Sequence, residues 1–387
     1  MSKMKIGIDA TFSLHGGSLG HLYNFIKYIS HDYDRQKIIL YLKPDNLKIL
    51  DQTIQNKCTI KLIKLSSYGN FFRILWGQLV FPFLVRLDDI DILFCPGNIS
   101  PILKTTKVKS QWIANIGPFC KDMYQGNSIF TKILLIIYKY IMLLSASTSN
   151  AVIHQANYSK QLFEKKYKFK PSNQYLIECG KDEFYSPDLK QIKNSNALSQ
   201  ISKNDLLYVS HIFPYKNVTR LINAFIKFKC NEKTNTKLYI VGKIMNFEYY
   251  ESLKEIIEEN QLQNEIIFTG SCSKEDLKFA YSICKLFVFP SLCESSGYSL
   301  IEAMSCGAPI LASDKTAIPD TCKDAAMYFN AYDEDQLLLN LTDLLSSSEK
   351  LKIMKKNSLA RSSEMISYKS AARIFLNIVE ANYQKEC

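Results

Sequence analysis

The stretch FPSLCESSGYSLIEAMSCGAP, Phe289 to Pro309, constrains this chain more than any other. The apolar run Leu286 to Phe289 before it has strand length and stops at Pro290, which cannot donate to a ladder. Ser291 to Gly297 read as a polar turn. Ser299 to Cys306 are good helix formers, and Gly307 and Pro309 close that helix. A strand, a loop and a helix start together present backbone N–H groups to an anion such as a phosphate. Glu294 in the loop and Glu302, eight residues later in the helix, flank that anion site. Two carboxylates beside a phosphate site suit a ligand bearing both hydroxyls and phosphates, such as a nucleotide sugar.

Strands and helices alternate along the rest of the chain, which predicts parallel sheets. Lys5 to Asp9 read as a first strand, followed by a loop with Gly16, Gly17 and Gly20 and an amphipathic helix over about Leu19 to Ile29. Those glycines let the backbone approach a ligand at the strand's carboxyl end. The loop is not GxGxxG, and no acidic residue ends the second strand, so a dinucleotide-binding dehydrogenase is disfavoured. IILYL (Ile38 to Leu42) and IKLIKL (Ile60 to Leu65) alternate as strands, and a helix with Trp76 and Gln78 precedes the strand ILFCP. Asp89-Ile90-Asp91 is formally a DxD metal motif, but Asp91 is placed to open that strand. WIANIGPF (Trp112 to Phe119) and AVIHQ (Ala151 to Gln155) read as strands that end in loops at Asn115 and His154. Such a histidine either faces a ligand or serves as a structural hydrogen-bonding group.

In the second half, LLYVS (Leu206 to Ser210) leads through His211 and Lys216 into a helix. KLYIVG ends at Gly242, IIFTG ends at Gly270, and Ser273 with Glu275-Asp276 caps a further helix. Lys190 to Asp205 lack periodicity and read as a linker. At 387 residues the chain fits two domains of near-equal size.

Eleven scattered cysteines without a CxxC pair argue for reduced thiols in the cytosol rather than a disulfide framework or zinc site. MSKMKIGIDA lacks a signal-peptide apolar core. ILLIIYKYIMLL (Ile133 to Leu144) is interrupted by Lys139 and short for a span, and reads as a buried or membrane-facing helix. The net charge of +11 favours anionic partners, either a diphosphate-bearing substrate or an anionic membrane surface. No helix-turn-helix, zinc-finger or RNP-like pattern points to nucleic acid.

The whole block from Pro290 to Pro309 resembles the donor-site motif of retaining glycosyltransferases of the GT-B fold, family four. The resemblance extends to Lys216, whose family counterpart holds the donor diphosphate, and to Gly180, Asp182, Phe184 and Pro187 at the exit of the first domain. Three departures stand out. Ser210 replaces the usual Gly, and His211 or Tyr215 stands where an Arg is common, so one cation is missing, or is supplied by a protonated His211 or from elsewhere. Asn115 occupies the region of a frequent His-Asp pair.

The resemblance implies two Rossmann-like doubly wound α/β domains facing across a cleft. They cover residues 1–190 (acceptor-binding) and 206–365 (nucleotide-sugar-binding), with a linker over 191–205 and a last helix, 366–387, crossing back to the first. It implies transfer of a hexose-type sugar from a GDP- or UDP-sugar, with retention at the anomeric carbon and no metal or other cofactor. The acceptor is a saccharide or a lipid-diphosphate-linked one, in bacterial O-antigen or capsule synthesis, made by a cytoplasmic enzyme peripheral on the inner face of the membrane. Glu302 is implied to hydrogen-bond the ribose and Glu294 the donor sugar. Amides of Gly297, Tyr298, Ser299 and Leu300, with Lys216 and His211, meet the diphosphate, and Gly242 and Gly270 lie near the nucleotide. Gly16, Gly17, Asn115 and His154 fall on the acceptor side. The alternative is a catalytically inactive nucleotide-sugar-binding partner of another transferase. A phosphorylase needs a pyridoxal phosphate lysine, and an epimerase of this fold lacks the paired glutamates.

Overall fold

A computed structural model describes residues 4–12, 17–32, 37–47, 50, 52–64, 70–125, 127–188, 198 and 200–386. The chain forms two compact units, one drawn from 1–119, 127–180 and 366–387, the other from 120–126 and 181–365.

In the first unit the strands are β1 (Ile6–Ala10), β2 (Ile38–Leu42), β3 (Thr59–Leu62), β4 (Ile92–Cys95), β5 (Val108–Ile113), β6 (Ala151–His154) and β7 (Gln174–Leu176). They lie in the order β3-β2-β1-β4-β5-β6-β7, every pair parallel. Helices α1 (Gly17–Asp32), α2 (Pro44–Leu47), α3 (Gln52–Lys57), α4 (Asn70–Leu79), α5 (Phe81–Leu87), α6 (Ile129–Ser147) and α7 (Asn157–Gln161) connect them. The helix read around Trp76 and Gln78 is two helices, because Pro82 enters the first turn of α5 and has no N–H to continue α4.

The second unit repeats the plan. Its strands are β8 (Leu206–Val209), β9 (Leu238–Val241), β10 (Ile266–Gly270), β11 (Leu286–Phe289), β12 (Ile310–Ser313) and β13 (Ala326–Phe329), in the order β10-β9-β8-β11-β12-β13 and all parallel. Between and after them run α8 (Val218–Asn231), α9 (Phe247–Glu259), α10 (Lys274–Ile283), α11 (Tyr298–Ser305), α12 (Ile318–Cys322), α13 (Glu334–Ser346) and α14 (Ser348–Glu364). The last helix, α15 (Tyr368–Glu386), packs in the first unit, where Phe375 meets Phe25 and Phe94 at ring distances of 5.3 and 4.4 Å. Of the linker read over 191–205, residues 191–197 and 199 lie outside the described residues; Ile201 is buried, and Asp205 accepts the Lys237 N–H at 2.9 Å.

Central strands such as β4, β8 and β11 are buried throughout, as helices on both faces of a parallel sheet require. Both units share the doubly wound arrangement, in which the order reverses between β1 and β4 and again between β8 and β11. A ligand site is expected outside the carboxyl ends of the strands at such a switch point.

One sequence expectation is corrected here. Cys120 and Cys293 are joined as a disulfide within the second unit, with Cα atoms 6.3 Å apart. They are 173 residues apart in sequence, so no spacing rule could pair them. Among the described residues, Cys95, Cys230, Cys272, Cys284, Cys306 and Cys322 are free thiols.

Candidate functional site

The switch point of the second unit brings together the loops that leave β8 and β11. Lys216 ends the first loop and Glu294 lies in the second, and Lys216 Nζ meets Glu294 Oε1 at 2.5 Å. Both side chains are largely buried. Burial pulls the Lys216 pKa down, but the charges of Glu294 and Tyr215 outweigh it and hold the ammonium above the ordinary lysine value. The ammonium also lies over the rings of Tyr215 (5.0 Å) and Phe289 (5.9 Å), which favours the charged form.

Several bonds fix these loops. Asn217, in the left-handed region at φ 62°, donates its side-chain amide to the carbonyls of Pro290 (3.0 Å) and Ala331 (2.9 Å). The Leu292 N–H donates to Tyr215 O at 2.9 Å. The Glu294 N–H donates to the Thr316 hydroxyl at 2.9 Å, and the Thr321 hydroxyl donates to Ser296 O at 2.6 Å. The disulfide at Cys293 adds a covalent tie one residue before Glu294.

Helix α11 begins at Tyr298, one residue earlier than the sequence indicates, with Gly297 as N-cap at φ 74° and no side-chain cap. The Leu300 N–H already donates to Gly297 O at 2.9 Å, so the helix's own first turn occupies that amide. Glu302 follows on the same helix. Tyr281, from α10, donates to Glu302 Oε2 at 3.2 Å, and Tyr185 also bonds this carboxylate. Burial raises the Glu302 pKa to about 7, against the lowering effect of the two tyrosine hydroxyls.

Gly242 and Gly270 sit together at the ends of β9 and β10, where the Gly242 N–H donates to Gly270 O at 2.9 Å. A Cβ on Gly242 would lie 1.9 Å from Ser210 O, so the exits of β8 and β9 touch backbone to backbone. His211 leaves β8 half-buried, its carbonyl accepting from the Tyr208 hydroxyl at 3.3 Å. The structure thus gathers Lys216, Glu294, His211, Gly242, Gly270, Glu302 and the start of α11 at the carboxyl end of one sheet.

In the first unit, Gly16 lies outside the described residues and Gly17 opens α1. Asn115 is exposed just past the end of β5, its side-chain oxygen Oδ1 accepting the Gly117 N–H at 2.7 Å. His154 is corrected to a structural role. It is fully buried, with Nδ1 3.1 Å from Ser159 Oγ and Nε2 2.7 Å from Gln174 Oε1, and burial lowers its pKa to about 4. The Asp91 of the formal DxD motif accepts the Lys5 N–H at 3.0 Å and the Tyr383 hydroxyl at 3.1 Å. Among the described residues no cluster of three metal-ligating side chains occurs.

Sequence reasoning missed Tyr185 and Tyr281, which hold Glu302, and Thr316, which holds Glu294. No local signal marks them, since each reaches the motif from a different loop or helix.

Residues 190–361 match the family model of glycosyl transferases group 1. A serotype-specific mannosyltransferase, WbdA, of Escherichia coli is 31% identical over 160 residues, which cover 41% of this chain and 20% of that protein. The O-antigen chain mannosyltransferase RfbU of Salmonella typhimurium is 32% identical over 133 residues, 34% of this chain and 36% of that one. The chain therefore spans only about a fifth to a third of the length of these relatives. Among solved structures, a glycosyltransferase from Rickettsia africae superposes with a TM-score of 0.74 at 17% identity, over 99% of both chains. Anabaena HepE, solved with UDP-glucose, superposes with a TM-score of 0.69 at 14% identity, over 98% of this chain and all of that one. Residues 190–361 are thus similar to the group 1 glycosyl transferases, and the chain has the GT-B fold.

Proposed function

We propose that this protein is a retaining glycosyltransferase that moves a hexose from a nucleotide diphosphate to a lipid-linked saccharide in surface polysaccharide synthesis. The observation that carries the reading is the Lys216–Glu294 pair at the switch point, with Glu302 on the adjoining helix. The relatives named mannosyltransferases, one of them for the O-antigen chain, and the neighbour solved with UDP-glucose support a hexose carried on GDP or UDP.

In this reading Glu302 accepts hydrogen bonds from the ribose hydroxyls, and Glu294 accepts them from hydroxyls of the donor sugar. While the site is empty, Glu294 keeps the Lys216 ammonium charged. When the donor enters, that ammonium turns to the diphosphate, helped by the amides at the start of α11. The bond from the anomeric carbon to the diphosphate oxygen breaks and its electron pair leaves with the phosphate. Negative charge grows there, so Lys216 binds the transition state more tightly than the ground state. The acceptor hydroxyl attacks from the face the diphosphate leaves, and a phosphate oxygen takes its proton. No side chain is assigned as nucleophile, in contrast to retaining glycosidases. The reaction as assigned uses no metal. The acceptor's lipid places the enzyme peripherally on the inner face of the membrane.

The test is thermal stabilisation of the protein by UDP, GDP, ADP, CMP and their common sugar conjugates. Stabilisation by one base, lost in Glu302→Ala, is the expected result; no stabilisation by any nucleotide overturns the reading. The alternative, a non-catalytic nucleotide-sugar-binding partner, draws on the missing arginine near His211, and turnover of the bound donor sugar dismisses it.

A further inference from the structure

Helix α6 is long and apolar enough to cross a bilayer, yet only 17% of its apolar window is buried. Its two faces differ sharply. Met142, Ser145 and Ala146 are buried, the Ser145 carbonyl accepts from Ser100 Oγ at 3.4 Å, and the Tyr138 hydroxyl accepts from Asn98 at 3.4 Å. The opposite face carries Ile129, Ile133, Ile136, Ile137, Tyr140 and Leu144, each between 38% and 78% exposed. Their spacing of three to four residues puts them on one stripe, where a water-facing helix would be polar.

Further exposed apolar side chains lie on elements that meet the same loop. Gln78 of α4 bonds the Ser100 carbonyl (3.1 Å) and the Ile102 N–H (2.9 Å), so the end of α4 rests on the same loop as α6. Leu79, Phe83, Leu87 and Leu103, on or beside that loop, are at least 52% exposed. The charge along α6 has one sign. From Met123 to Phe163 the sequence has no Asp or Glu, and Lys165, Lys166, Lys168 and Lys170 follow directly, all exposed. This basic run adjoins α6, because Lys139 lies 5.6 Å over the Tyr167 ring. Glu164, the acid at its start, is paired with Lys160.

We propose that α6 is an in-plane membrane anchor, sinking its outward stripe into the acyl boundary of an anionic bilayer while the lysines of 165–170 meet the headgroups. This rests on the lipid-linked acceptor reading and names the surface that serves it. Spanning is excluded by connectivity: α6 joins β5 to β6, adjacent parallel strands of one sheet, and its inner face is spent on that sheet. An apolar face with basic flanks is the pattern of a helix that lies in the interface. Each lysine near an anionic surface adds an attraction that salt screens.

The experiment is co-sedimentation of the whole protein with vesicles of phosphatidylcholine alone or mixed with phosphatidylglycerol. Binding to the mixed vesicles is expected, weaker at high salt, and reduced about tenfold or more in the double variant Ile133→Asp/Ile137→Asp. These side chains point outward, so the fold, read by circular dichroism and nucleotide-induced stabilisation, stays intact. Replacing Lys165, Lys166, Lys168 and Lys170 by Gln lowers binding to anionic vesicles only. Vesicle binding unchanged in the isoleucine variant overturns the proposal. So does a wild-type dimer in sedimentation velocity that the variant disperses, since the stripe then covers a second copy. Nucleotide stabilisation without vesicle binding sinks this inference alone; its absence sinks the transferase reading instead.

Discussion

Two charged side chains at the donor site respond differently to substitution, because each is held by a different set of neighbours. Lys216→Ala removes the partner of a largely buried carboxylate as well as the cation assigned to the diphosphate. Its kcat is expected to fall about a hundredfold or more while KM moves less; equal changes in a measured donor affinity and in kcat/KM would contradict a transition-state role. The lost pair also costs roughly 3 kcal/mol of stability, because Glu294 is left buried without a counter-charge. Glu302 behaves in the opposite sense. Burial raises its pKa from 4.5 to about 7, so between those values the native state holds more protons than the unfolded chain. Stability therefore falls as pH climbs through that window, and the whole penalty is present above it. Glu302→Gln removes the charge and is expected to be more stable than wild type near pH 8 by about 2–3 kcal/mol, and little different near pH 5. Melting curves across pH test this, and a constant difference between the two proteins would sink it. The same carboxylate must be ionised to accept both ribose hydroxyls, so nucleotide affinity is expected to rise through neutral pH in the wild type alone.

At the scale of elements, the second sheet depends on how closely its strand exits approach. Gly242 has φ 152°, and its missing Cβ leaves room for Ser210 O. Gly270 has φ 71° but nothing within 4 Å of a built Cβ. Gly242→Ala must push the exits of β8 and β9 apart and is expected to cost more than about 4 kcal/mol. Gly270→Ala costs only the left-handed penalty, about 1–2 kcal/mol. Urea unfolding of the two variants checks the contrast, and similar midpoints would refute it. These elements also mark where sequence reading succeeds. Strands β8, β9 and β11 were legible because buried parallel strands are short apolar runs closed by Gly, Pro or Ser. The capping box of Ser273 and Asp276 was legible because its partners lie three residues apart. The Tyr281–Glu302 bond was not, because it joins two helices through side chains that no periodicity links. His154 was ambiguous for a related reason: whether a strand-end histidine faces solvent or Gln174 is decided by β7, a strand of three residues with almost no signal of its own.

Across the whole molecule, the plan of two doubly wound sheets follows from strand and helix alternation, but one long-range tie does not. The Cys120–Cys293 bond lies in the second unit and closes a loop of 173 residues, immediately before Glu294. A cross-link of that span acts mainly by restricting the unfolded chain, worth up to about 5 kcal/mol in the chain-entropy account. Reduction with dithiothreitol is therefore expected to lower the melting temperature. Cys120→Ser and Cys293→Ser should each reproduce that lower value and lose any further response to reductant, because either change removes the same bond. The double variant should add nothing. Equal melting temperatures for the oxidised and reduced wild type would show that the two thiols are not joined in solution. In that case Glu294 is held by Thr316, by the loop at Tyr215 and by Lys216 without covalent help.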